Sequence, residues 1–410
     1  MNRTLTAFVF IVMIFMLLAS CSTSSSTSAP YPPEVAAIAG NGQVIISLAP
    51  EPGSATVNSY TIYYSTTNPV TMSSGTSVTG ITGASTTITG LTNDTMYYFI
   101  ATAANAYGES PPSSEARAMP GINIGTVTIL ASESWLSTPQ GIVVDSNNVY
   151  WTDNSGTPFG NGTGDVRKVG INGGAVTTLV SGPSAWQYGP QGIASDATSV
   201  YWLDNDSGTV NKVLISGGTI STLVSGLNFP QSIAVDSTSV YWTDVIGIRK
   251  VGINGGTATT LASGLTILPG YTQGMAVDST SVYYFSNDAV MKVGINGGTV
   301  TTLASGLNFP TSIAIDSTNV YWTNNGSLYK VGINGGTVTT LATWDGILGI
   351  AVDSTTVYWT DDDSGIYKIG INGGTITTVA SGLYYPASIA IDSTNVYWTE
   401  LDGTIKKVSK

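Results

Sequence analysis

The 410-residue sequence predicts an all-β protein, and three observations carry that prediction. Gly alone contributes 48 residues and Ser and Thr fill much of the remainder, while only 9% of residues are charged; this suits strands and turns, not amphipathic helices. Between residues 44 and 105 apolar positions alternate at period two. From residue 121 a unit of about 41 residues recurs to the C-terminus. At about 150 residues per domain the length allows two to three domains.

Residues 1–20 carry one basic residue, Arg3, an apolar run from Ala7 to Leu18, and then Leu18-Ala19-Ser20 before Cys21. The run is short for a bilayer span and ends in small residues, which predicts a signal peptide. Cys21 is the single cysteine of the chain. The segment resembles a bacterial lipobox, which implies lipidation of Cys21 and a membrane partner held through acyl chains. With Ser22 following, the resemblance to Gram-negative lipoproteins implies the outer membrane or cell surface. Residues 21–33 are a polar, Pro-containing tether unable to bury a core.

Residues 34–120 form the next segment. Val44, Ile46 and Leu48 define one strand, and Tyr60, Ile62 and Tyr64 another. Gly90-Leu91-Thr92-Asn93-Asp94-Thr95-Met96-Tyr97 leads into Phe99, Ala101, Ala103 and Asn105, and Gly108-Glu109-Ser110-Pro111-Pro112 follows. These stretches resemble the corner, strand and closing loop of a fibronectin type III β-sandwich, with Tyr97 at the tyrosine-corner position and Leu48 where the family usually has a core Trp. The domain is read as a spacer, with a glycan- or protein-binding module as the alternative that no residue singles out.

Residues 121–410 are the repeats, predicted to form a β-propeller. Each unit has four strand-like segments: a (GIAVD), b (VYWT), c (KVGI) and d (TVTTL). Asp145, Asp196, Asp236, Asp278, Asp316, Asp353 and Asp392 open the a–b turns. Asn-Gly at Asn172, Asn254, Asn296, Asn334 and Asn372 predicts type I′ turns between c and d. Segments a to c occur seven times, the last lacks its d, and an isolated d precedes the first a at Gly125–Leu130. That arrangement predicts seven blades, closed by pairing the N-terminal strand with the last blade. The unit resembles YWTD and NHL repeats; the YWTD family is commonly six-bladed, so six blades is the alternative.

Function is read by contrast between blades. The repeated lysines (Lys168, Lys212, Lys250, Lys292, Lys330, Lys368, Lys407) are expected to be scaffold, their heads paired with nearby Asp. The Trp of VYW is expected between blades. Turns alternate ends, so the a–b and c–d turns share one monotonous face, whereas the b–c and d–a loops share a variable one. On the variable face fall Trp135, Trp186, Tyr188, Tyr271, Trp344 and Asp345, together with Gln140, Gln191, Gln231 and Gln273 at the start of strand a. Phe229, Phe309 and Tyr385 precede Pro in other d–a loops, so these aromatics fit either a binding surface or plugs between blades. Aromatic stacking with Gln and Asp giving direction predicts non-catalytic recognition of a carbohydrate or protein ligand.

The absence of His and the single Cys remove Ser-His-Asp and Cys-His catalysis, His-ligated metals and an internal disulfide framework. A net charge of −12 argues against nucleic acid. Asp204-Asn205-Asp206-Ser207-Gly208 and Asp361-Asp362-Asp363-Ser364-Gly365 resemble acidic calcium loops but lack an EF-hand's further spacing and distant Glu, so tight turns are expected and Ca²⁺ at Asp204, Asp206, Asp361 or Asp363 is the lesser reading. The alternative function is a lactonase- or lyase-like propeller enzyme with a divalent metal in its channel; the lyases depend on a His that this chain lacks.

Overall fold

The computed structural model describes residues 28–121, 125–132, 139–155, 163–182, 190–264, 274–286, 288–308, 310–324, 326–344, 346–362 and 365–410. Every regular element among the described residues is a strand. The chain divides into two compact units, the first taking in Ile46–Thr87 and Tyr97–Arg117, the second Ala118–Lys410.

Two sheets precede the repeats. One joins Glu34–Gly40, Gln43–Ala49 and Ser85–Thr89; the other runs Thr76–Ile81, Ser59–Ser65, Tyr97–Asn105 and Gly108–Glu109, with Ala116–Ala118 also paired to the long strand. The period-two positions are the core: Val44, Ile46, Ile62, Phe99, Ala101 and Ala103 are completely buried, and Leu48 is buried with them. Tyr64 stacks on Phe99 with ring centres 6.0 Å apart and lies 6.3 Å from Tyr97.

Among the described residues the repeats form seven four-stranded antiparallel sheets. Blade 1 comprises Pro139–Val144, Asn148–Ser155, Thr163–Gly170 and Thr177–Ser181 as strands a to d. Blades 2 to 6 span 190–224, 233–263, 275–305, 310–343 and 347–380 in the same order. Blade 7 takes Pro386–Ile391, Asn395–Glu400 and Thr404–Ser409 from the C-terminus and its strand d, Thr128–Ser132, from before blade 1. There Thr404 pairs with Ser132, Ile405 with Ala131, and Lys407 with Thr128. Each strand a lies beside the strand a of the next blade, and that of blade 7 beside that of blade 1, so the ring closes as a β-propeller.

The VYW motif builds the blade junctions because adjacent residues of a strand face opposite sides. The Tyr of one blade and the Trp of the next share a core: Tyr150 with Trp202, Tyr201 with Trp242, Tyr321 with Trp359, and, across the closure, Tyr397 with Trp151. These four tryptophans, with Trp322 and Trp398 of the same motif, are at most 1% exposed. At 150–250 Å² per aromatic, each such burial stabilises by about 4–6 kcal/mol. Close approach of neighbouring strands a selects small residues: a Cβ on Gly274 would lie 2.9 Å from the Ile313 side chain and 3.0 Å from its backbone nitrogen.

The turn aspartates act as the sequence predicts, and more. Asp316 Oδ1 accepts from the Thr318 and Asn319 N–H groups at 2.6 and 2.7 Å, while its Oδ2 accepts from the buried Tyr321 hydroxyl at 2.7 Å. The other six aspartates bind their turns and their VYW tyrosines in the same way.

Two local expectations need correction. The c–d turns are not type I′: Gly173 donates to the Gly170 carbonyl around Ile171 and Asn172, neither at positive φ, and the left-handed residues are Gly173 (+85°) and Gly174 (+118°). The lysine heads pair with the following blade's c–d turn instead of with Asp. Lys168, Lys212, Lys292 and Lys330 donate to the carbonyls of Ile215, Ile253, Ile333 and Ile371 at 2.6–2.9 Å, and Lys407 closes the ring on Ile171 at 2.6 Å. The aspartate carboxylates are already occupied by turn N–H groups and Tyr hydroxyls, whereas the turn carbonyls lie within reach of the neighbouring ammonium.

Candidate functional site

The variable face begins at a defect repeated in strand a. In blades 1, 2, 5, 6 and 7 the a–b register slips by one residue, between Pro139 and Ile142 in blade 1 and at the matching positions elsewhere. The extra residue makes a β-bulge, which bends the strand and re-aims a side chain. In blades 1, 5, 6 and 7 the Thr of YWT holds it: Thr152 Oγ1 accepts from Gly141 N–H, Thr323 from Ser312, Thr360 from Gly349 and Thr399 from Ser388, and in blade 3 Thr243 makes the equivalent bond with Ser232, all at 3.0–3.1 Å.

The first bulge residue therefore rims the mouth of the ring, and it differs between blades. Gln140 is exposed in blade 1, Gln191 occupies the position in blade 2, and Gln231, half-buried, takes it in blade 3. Thr311, Leu348 and Ala387 take it in blades 5 to 7, with Leu348 40% exposed. Among the described side chains, the rim thus carries amides in blades 1 and 3 and small or apolar groups in blades 5 to 7.

A second set of residues, not singled out from the sequence, lies at the end of strand b. Asp153, Asp204, Asp244, Asp361 and Glu400 occupy one equivalent position and are all at most 3% exposed. Buried carboxylates need partners, and each blade supplies different ones. Asp244 accepts from the Trp242 indole (3.0 Å), Arg249 (3.1 Å) and the Ile246 N–H. Glu400 accepts from the Trp398 indole (2.8 Å), Lys406 (2.6 Å) and the Tyr384 N–H (2.9 Å). Arg167 lies 2.7 Å from Asp165 and 3.5 Å from Asp153. Blades 4 and 5 have Ser286 and Asn324 at the same place, and there Met291 and Tyr329 replace the cation. This covariation was the available signal: at the c position opposite the third residue of VYW, a basic residue appears only where b ends in an acid.

The predicted site residues divide three ways. Cys21, Trp135, Trp186, Tyr188, Tyr271, Gln273, Asp345 and Asp363 lie outside the described residues. Trp344 is a correction: it is 8% exposed, its indole N–H donates to Asp361, and it packs edge-on to Trp359 and within 4.5 Å of the Tyr367 ring centre. It plugs blade 6, because the Asp361 carboxylate and two aromatic rings satisfy both its polar and its apolar surface. Phe229, by contrast, is 59% exposed, and Tyr384 is 38% exposed beside Tyr385. Phe229 and Tyr385 adopt φ of +50° and +48° directly before proline, strained values for bulky residues. Val245 and Ile246, both exposed, sit in the b–c turn next to Phe229, joined by the Val245 N–H to Asn228 carbonyl bond of 3.2 Å.

Asp204 caps its own turn, accepting from the Asp206 and Ser207 N–H groups at 3.0 Å, and Gly208 follows at φ +60°. Among the described residues no group of three acidic or thiol side chains is placed to hold a metal.

Charge separates the two faces. The a–b/c–d face carries the seven turn aspartates against the seven repeat lysines and Lys410, near balance. The described b–c turns and strand ends carry Asp153, Asp165, Asp204, Asp206, Asp244, Asp288, Asp361, Asp362, Glu400 and Asp402 against Arg167, Arg249 and Lys406. These three cations are each engaged by buried carboxylates.

A fibronectin type III domain model matches residues 28–119. Comparison with curated protein sequences finds no match. Among solved structures, the chain is similar to the propeller YCF48 bound to D1 peptide, at a TM-score of 0.56 and 10% identity, over 72% of this chain and 100% of that one. It is similar to the extracellular domain of BT4673 from B. thetaiotaomicron at 0.53 and 12% identity, over 69% and 40%. BamB from Moraxella catarrhalis matches at 0.45 and 15% identity, over 76% and 93%. The chain therefore holds a fibronectin type III domain followed by a fold shared with propellers.

Proposed function

We propose that this chain is a bacterial envelope lipoprotein, anchored by acyl chains on Cys21, whose propeller recognises a carbohydrate or protein ligand at its b–c/d–a face without catalysis. The observation that carries the reading is the inequality of the two faces. One repeats the same Asp, Tyr and Lys devices in nearly every blade, as a scaffold must. The other changes its rim residue from blade to blade and exposes Phe229, Val245, Ile246 and Tyr384, enough apolar surface to mark an interaction site. Its carboxylate excess disfavours anions, so the ligand is neutral or basic. Similarity in fold to YCF48, which is bound to a peptide, supports a peptide as readily as a sugar.

The test is binding of the full chain to a glycan array and to arrays of basic and acidic peptides. A ligand from the neutral or basic set should lose at least tenfold in affinity for protein carrying Gln140→Ala and Phe229→Ala, and none for Thr340→Ala on the outer edge of blade 5. Equal binding by all three proteins, or selection of acidic ligands, would overturn the reading.

A further inference from the structure

Among the blades whose strands c and d are joined by a turn, blades 1 to 6, the end of strand c is uniform except in blade 2. Strand c ends in Gly at Gly170, Gly252, Gly294, Gly332 and Gly370, but in Leu214 in blade 2. Glycine suits the place sterically: a Cβ on Gly294 would lie 2.8 Å from the Gly297 carbonyl oxygen, and one on Gly170 2.9 Å from that of Gly173. Leu214 carries a side chain there while keeping the turn bond, Gly217 N–H to Leu214 carbonyl, at 2.9 Å. It is 50% exposed, more than Val176, Ile220, Val300 and Val338, the other apolar residues exposed beside the c–d turns. A residue that departs from the local rule of its own repeat, and shows apolar surface for it, points to a site.

The departure coincides with a cavity. Between the c–d turns of blades 2 and 3 lies a space of about 440 Å³, within the range that takes a small ligand. Leu214, Leu223 and Ile253 give it an aliphatic wall, and Lys212, Ser221 and Asn254 its polar groups. Its lining contains an ammonium and no carboxylate. The Lys212 head lies 5.4 Å from the Tyr201 ring centre and donates to the Ile253 carbonyl at 2.9 Å. That bond uses one of three N–H donors.

We propose that this seam binds a small anionic amphiphile, an aliphatic chain ending in a carboxylate, with the chain against Leu214, Leu223 and Ile253 and the carboxylate on the Lys212 ammonium and the Ser221 hydroxyl. The site is separate from the b–c/d–a face and stands whether or not that face binds a ligand.

The experiment is titration of the full chain with ¹³C-carboxyl decanoate below its aggregation concentration, followed by NMR. One saturable site is expected. Leu214→Gly restores the residue that five other blades carry and so preserves the fold; it should weaken binding at least tenfold, as should Lys212→Met. Lys292→Met, the equivalent change in blade 4, should leave affinity unchanged, and decanol should bind at least tenfold more weakly than decanoate. No saturable binding, undiminished binding to Leu214→Gly protein, or equal affinity for decanol would each overturn the proposal.

Discussion

The side chain that does most for each blade is the turn aspartate, and its protonation state follows from its contacts. Burial alone would raise the carboxyl of Asp392, but the Tyr397 hydroxyl and the Thr394 and Asn395 N–H groups outweigh it and hold it down at about 2. Asp353 is likewise held at about 2, by Lys410 and its turn. Asp196, Asp236, Asp278 and Asp316 are also lowered. The partner tyrosines move the other way: burial, then the aspartate, raises Tyr201, Tyr241, Tyr321 and Tyr397 above their ordinary value. A carboxylate with a lowered folded pKa stabilises fully above its unfolded value near 3.9, and that contribution is lost as pH falls toward 2. A tyrosine with a raised folded pKa stabilises below about 10, and its contribution is lost as pH rises further. The melting temperature should therefore be flat between about pH 5 and 9 and fall on both sides, with the buried VYW tyrosines ionising only as the fold is lost. Asp236→Ala, which strands two turn N–H groups and the Tyr241 hydroxyl, should cost about 2 kcal/mol or more in chemical denaturation.

Within the blade, strand ends carry the individuality that the strand centres lack. The Glu400–Lys406 pair is tightly held, with the carboxylate side chain fully buried and the lysine 15% exposed. Lys406→Met should destabilise the fold by about 3–5 kcal/mol, because it leaves Glu400 charged and buried. Adding Glu400→Gln should recover most of that loss, since the amide needs no counter-ion and can still accept from the Trp398 indole. Denaturant midpoints of the three proteins check this. The covariation of strand-b acid with strand-c cation can be read in the sequence once strands b and c are aligned. The bulge cannot: Gln140-Gly141 looks like ordinary strand until Thr152 is found opposite both residues. Trp344 misleads for a related reason. Its position in a d–a loop suggests display, yet a loop of Ala-Thr-Trp-Asp-Gly folds the indole back onto Asp361, a partner 17 residues away.

For the molecule as a whole, closure is the decisive contact. Blade 7 is assembled from residues nearly 280 positions apart, Thr128–Ser132 on Thr404–Ser409. Ala131 is 5% exposed in the core that also holds Trp151 of blade 1. Ala131→Asp should open the ring by placing an unpaired carboxylate at that junction, lowering the midpoint and broadening the transition. Thr178→Asp, on an exposed position of strand d in blade 1, should do neither.

The sequence by itself determined the β content, the fibronectin type III segment, the repeat and its incomplete last copy, and from these the closed ring; periodicity and a missing strand are one-dimensional facts. It also determined the two unequal faces, since turns along an up-and-down sheet must alternate. Only the tertiary structure decided which side chains those faces display. Lysine heads found carbonyls of the next blade, Trp344 turned inward while Phe229 stayed out, and Leu214 came to line a cavity between the c–d turns of blades 2 and 3. Each of these outcomes depends on atoms from a neighbouring strand or blade, brought within contact in a way that no spacing along the chain encodes.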